Sequence, residues 1–298
     1  MELDKTRIAV RERGTLEILD LSLHVTRAYW WPLLITYALG AVPLAAVNYL
    51  LIGWELKRFE YSVDFPTLYV YLMMMLVVVE APLASVFATA YLGKSVFLER
   101  PKIAEVIKDV VKLLPRILFC QLVVRGAIAI WILLLMVDRG VPLGESGMEI
   151  LLVSFVLLFV LIVRGVRPFI NEIIILEQNP MKSRNPATMT VGRRSVLLHG
   201  PSSGQLFGRG FVCMVLSVLL ALSVYLGLFL FGSALFAHSW QHGFFMIQVG
   251  LPLSMWGVAG FFSVVRFLGY LDLRIRQEGW EVELKLRAEA QRLASKLT

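Results

Sequence analysis

The sequence predicts an all-α fold: a polytopic membrane bundle of six transmembrane helices, with amphipathic helices at the interface and a cytoplasmic C-terminal helix. Three observations predict it. Hydrophobic residues make up 58% of the 298 residues and charged residues 17%, against roughly 45–50% and about 25% in ordinary globular chains. Six segments reach or approach the ~20 apolar residues that a spanning helix needs. Lysine and arginine then alternate between rich and poor at every connection between those segments, as basic cytoplasmic loops require.

The segments run over 28–54, 68–92, 117–137, 148–166, 210–232 and 244–270. Five basic residues precede or open the first, six separate the second from the third, seven separate the fourth from the fifth, and seven follow from the end of the sixth. The opposite side carries only Lys57, Arg58 and Arg139, while Arg125 falls inside a span. Both termini are therefore expected in the cytoplasm, with the chain in the cytoplasmic (inner) membrane. The first residues, MELDKTRIAVRERG, lack an apolar core and a small-residue cleavage site, so no cleavable signal peptide is expected and the first span serves as the anchor.

What precedes each odd-numbered span is also patterned. Leu16, Leu19 and Leu23 share a face, as do Ile103, Ile107, Val110 and Leu114. Basic residues flank both stripes, as in helices lying in the membrane interface. Residues 187–198 are a weaker third case. Interfacial helix plus hairpin, repeated about every 85 residues, describes three similar units, although any six-helix protein contains three hairpins. The chain thus divides into a transmembrane domain, 1–270, and a C-terminal amphipathic helix, 271–298. In the latter, Ile275, Val282, Leu286, Leu293 and Leu297 share a face, and Gly279 interrupts it at a cost of about 1 kcal/mol. That helix could lie on the membrane, pack under the bundle or pair with another membrane protein.

The net charge of +7 fits an anionic membrane face better than nucleic acid, because the basic residues flank apolar runs. Membrane lipids are the expected partners. Cys120 and Cys213 sit in apolar segments and read as small hydrophobes rather than a disulfide, a metal site or a nucleophile.

The stretches GTLEILDLSLHVTRAYWWPLL (14–34), RPFINEIIILEQNP (167–180), VGRRSVLLHG (191–200) and YLDLRIRQEGWEVEL (270–284) carry a resemblance. The first three resemble a bacterial membrane domain found fused to, or apart from, glycerophosphoryl diester phosphodiesterases; the fourth is similar to tails of related bacterial membrane proteins. The resemblance implies a six-helix membrane architecture. It implies no activity, because the phosphodiesterase chemistry of fused members belongs to a separate barrel domain for which this chain has neither room nor a His-Arg-Gly start.

Ionisable groups deep in a membrane are expensive and mark places to look. Glu80 in the second span and Arg125 in the third stand roughly 18 and 12 Å from the cytoplasmic end at 1.5 Å per residue, within side-chain reach of each other. A Glu80–Arg125 pair is expected, either fixing helix packing or lining a substrate or proton path. Arg164 and Arg167, at the end of the fourth span ahead of Pro168, and Arg193 and Arg194 beyond it, are candidates to hold lipid phosphates, since guanidinium matches phosphate bidentately. An ordinary stop-transfer end is the more expected reading of them. His238 and His242 lack a nearby acidic or thiol ligand, so no metal is expected. Residues 200–210, GPSSGQLFGRG, lack a P-loop ending and read as a flexible loop. No catalytic motif and no cofactor site is recognisable. The sequence therefore favours a structural or scaffolding membrane component, with a transporter as the alternative and a lipid-headgroup enzyme third.

Overall fold

A computed structural model describes residues 13–57, 65–96, 101–127, 131, 148–185, 188–236 and 240–278. Among them the ordered elements are all helical. Four helical stretches are long and apolar enough to cross a membrane, or five if the bent pair 150–166 and 170–177 counts as one span.

Helix α1 (Thr15–Ala28) starts after an extended Gly14, with Glu17 in its first turn and Arg27 in its last, charges that suit the helix dipole. Tyr29 breaks it from α2 (Trp30–Lys57). Helix α3 (Thr67–Ala84) continues through a break at Ser85 into α4 (Val86–Val96). Helix α5 (Ile103–Leu118) runs without a break past Pro115 into a π-helical turn, Phe119–Val124. Helix α6 (Met148–Val166) has the predicted bounds of the fourth span. It bends by 51° into a half-helix, 170–177, whose end is set by the left-handed Gln178 (φ 53°). Helices α7 (Val191–His199), α8 (Ser203–Phe236) and α9 (Leu251–Glu278) follow, the last entered through Trp240–Phe245 and a π-turn, Met246–Gly250.

Three sequence expectations change. The glycine-rich stretch 200–210 is not a loop beyond Ser202: Leu206 N–H bonds Ser202 C=O at 2.9 Å, and Gly204, Gly208 and Gly210 belong to a 34-residue α8. Pro201 marks the only interruption, and apolar neighbours carry the helix across the glycines. Helix α5 continues into the first residues of the predicted third segment rather than ending as a separate interfacial helix, and most of the remainder of that segment lies outside the described residues. Helix α9 crosses residue 270 without a break, so the first turns predicted for a separate C-terminal helix continue the long apolar helix before it; from residue 279 that prediction lies outside the described residues.

Two apolar cores stack along the bundle. One joins α2, α3, α6 and α9 around Ile52, Leu72, Met75, Val156 and Trp256. The other joins α1, α4, α5, the half-helix, α7 and the last turns of α9 around Val86, Val106, Ile173, Leu198 and Tyr270. Between them α2 and α3 approach closely: a Cβ on Gly40 would meet Ala84 O at 2.3 Å. Arg13, the first described residue, donates its backbone N–H to Asp272 Oδ1 at 2.8 Å. The two ends of the described chain therefore adjoin.

Candidate functional site

The site is built on Pro82. Proline has no N–H to offer the carbonyl four residues earlier, so Pro82 inside α3 leaves Val78 C=O without its intrahelical donor. Arg164, at the end of α6, fills the gap: Nη1 donates to Val78 O at 2.8 Å and Nη2 to Val79 O at 2.7 Å. Asn171, on the half-helix, donates to Pro82 O at 2.6 Å and accepts from Gln121 Nε2 at 2.7 Å. Its neighbour Glu172, fully buried, accepts from Arg266 Nε at 2.7 Å. Arg266 Nη2 reaches Ser85 Oγ at 2.8 Å. Arg125 completes the group by donating Nη2 to Val163 O at 3.1 Å. Five helical segments thus meet at a kink and a bend, through guanidinium groups that satisfy freed carbonyls.

Beyond this cluster, toward the end of α9, lies a second network. Arg194 Nε donates to Glu177 Oε2 at 2.6 Å and its Nη2 pairs with Glu278. Tyr270 Oη donates to Glu177 Oε1 at 2.8 Å, and Arg274 Nη2 donates to Glu278 at 2.7 Å. Asp272 accepts from Arg209 and Arg276, both at 3.0 Å, and from the Arg13 amide. His199 lies alongside, stacked on Phe169 at 5.6 Å. Its Nε2 accepts the Phe169 N–H at 3.3 Å while Nδ1 faces Ser195 C=O at 2.8 Å, the pattern of a neutral ring. Burial pushes its pKa down to about 4.

A third polar group sits in the other core. Glu80 faces Asn48, which is fully buried, without closing a hydrogen bond of full geometry. Glu80 Oε2 and both amide atoms of Asn48 have no partner.

Against the sequence expectations, Glu80 and Arg125 do not meet. Glu80 turns to Asn48 on α2 and Arg125 to a carbonyl on α6. Their spacing from the segment ends predicts similar depth, but depth leaves open which way a side chain turns around its helix. Of the four arginines proposed for phosphate, Arg164 is held by backbone carbonyls and Arg194 by two glutamates. Arg167 is exposed at the bend, and Arg193 is exposed with Nη1 toward Thr188 O at 3.4 Å. His238 and the side chain of His242 lie outside the described residues. No group of three metal-ligating side chains occurs among the described residues.

Arg266, Glu172, Asn171 and Asp272 are not among the site residues the sequence suggests. The signal that could have found them is that each is a charged or amide residue within or beside an apolar stretch. Comparison with known proteins finds no matching family model, no matching curated protein and no matching solved structure.

Proposed function

We propose that this chain is a six-span, non-enzymatic bundle that serves as a structural or scaffolding component of a bacterial membrane complex, with both termini in the cytoplasm. The resemblance to the phosphodiesterase-associated membrane domain supports the architecture and contributes no activity. The observation that carries the reading is how the buried charges are used. Glu172, Glu177 and Asp272 are each engaged by arginines from other elements, and Arg164 by carbonyls of another helix. Groups spent in this way lock helices together and leave little to do chemistry.

Two further facts support it. The contact of Arg13 with Asp272 brings the first described residues to the end of α9, which fits an even number of crossings. The four long helices and the bent pair give up to five candidate spans among the described residues, and the segment 117–137 expected from the sequence would bring the number to six. Helix α8 meanwhile has none of its most apolar 18-residue window buried, leaving a whole span to lipid or to a partner helix. The experiment is site-specific photocrosslinking in membranes from Leu219 and Leu230, both exposed on α8. A scaffold gives a discrete crosslinked protein. Crosslinks to lipid alone count against it.

The transporter reading keeps one observation in its favour: the loosely satisfied Glu80 and Asn48 in a buried position. Glu80→Gln would abolish a proton-coupled flux measured in proteoliposomes and leave a scaffold's crosslinks unchanged.

A further inference from the structure

The cluster at Pro82 is not electrically balanced. Arg125 and Arg266 both lie within electrostatic reach of Arg164, and Arg167 within reach of Arg125. Among the described residues Glu172 is the carboxylate acting on Arg125, and none acts on Arg164. Three guanidinium groups there share one described carboxylate, itself already bonded to Arg266. Uncompensated charge away from water is strongly unfavourable, and the cheapest remedy is a bound anion.

The donors for one are present. Among the described residues Arg125 uses only Nη2, on Val163 O, and Arg266 only Nε and Nη2. Arg164 Nε is buried with no partner. The cluster is also reachable, since Arg125 and Gly165 are partly exposed and Val166 and Arg167 exposed. Its depth fits as well. From Met148 to Val166 is about 28 Å of helix, and Arg164 and Arg266 both stand within about 6 Å of the ends of their apolar segments. On the six-span reading, on which this inference rests, the cluster then lies near the inner edge of a ~30 Å hydrocarbon layer, where lipid phosphates begin.

We propose that Arg125, Arg164 and Arg266 form a binding site for a phosphate anion, supplied by an anionic phospholipid headgroup entering past Arg125 and Arg167. Guanidinium forks suit phosphate oxygens. The same chemistry would accept free phosphate, so the test has an arm for each source.

The full chain is extracted from membranes containing phosphatidylglycerol and phosphatidylcholine, and retained lipid is measured by native mass spectrometry. The wild type is expected to keep phosphatidylglycerol in preference, and its unfolding temperature to rise when that lipid is added back. Arg125→Gln, which removes the least structural of the three arginines, should weaken retention about tenfold. Arg125→Lys, keeping the charge without the fork, should fall between. A rise in unfolding temperature with millimolar inorganic phosphate but not with phosphatidylglycerol keeps the anion site and changes its source. If the wild type shows neither preference nor response, or if a folded Arg125→Gln retains lipid unchanged, the site does not exist. A chain that retains the lipid but gives no protein crosslink from α8 loses the scaffold reading and keeps this one.

Discussion

At the residue scale, the buried charges are worth most where they are paired across elements. Removing one partner leaves the other charge buried and unsatisfied, at a cost of about 3–5 kcal/mol. Glu172→Ala is therefore expected to be among the most damaging single changes, stranding Arg266. Thermal unfolding in detergent should show a large drop, whereas a change at Asp109, an exposed partner of Lys94, should cost about 1 kcal/mol or less.

His199 supplies a pH dependence with a definite sign. Its folded pKa of about 4 lies below the ordinary value of 6.5, so as pH falls the unfolded chain takes up the proton first. Its share of stability is intact above about 6.5, declines between 6.5 and 4, and is level below that. The loss is at most about 3 kcal/mol. His199→Phe should flatten that part of the stability–pH curve; an unchanged slope would assign it to other groups. From sequence, His199 is one histidine in a basic segment. Its neutrality comes from burial, against a partner, Phe169, thirty positions away, which no local pattern reveals.

At the element scale, close approach and kinks decide the packing. Gly40 stands against the backbone of Ala84, so Gly40→Ala must push α2 from α3 and lower the unfolding temperature by several degrees. Gly208 has nothing within 4 Å of where a Cβ would sit; there the same change relieves a helix-propensity cost of up to about 1 kcal/mol and should be neutral or stabilising. Both glycines lie in apolar helical sequence, and only the facing helix distinguishes them. The kink at Pro82 and the reach of Arg164 act as a unit. With Pro82→Ala the backbone satisfies Val78 for itself, and the loss caused by Arg164→Gln should shrink by about 1 kcal/mol in a double-mutant cycle. Additivity would mean that the arginine does not serve the kink.

At the scale of the whole molecule, the adjoining ends of the described chain make a topological prediction. In a chain with Cys120 and Cys213 replaced by alanine, single cysteines introduced as Gly14→Cys and Gln277→Cys should both react with a membrane-impermeant maleimide from the cytoplasmic side only. Labelling from opposite sides would exclude an even number of crossings.

Composition, apolar run length and the alternation of basic loops pointed by themselves to a multi-pass helical membrane protein, and the apolar run placed near 148–166 coincides with a helix. Those signals are local: hydrophobic length and flanking charge are read one segment at a time, because lipid acts on each helix separately. Which helix faces which, that Glu80 turns to Asn48 rather than Arg125, and that three arginines gather at a proline kink were decided only by the tertiary structure. A side chain's direction around its helix axis is set by the packing of neighbours far away in the chain, and in lipid every apolar face of a span looks alike until those neighbours are in place.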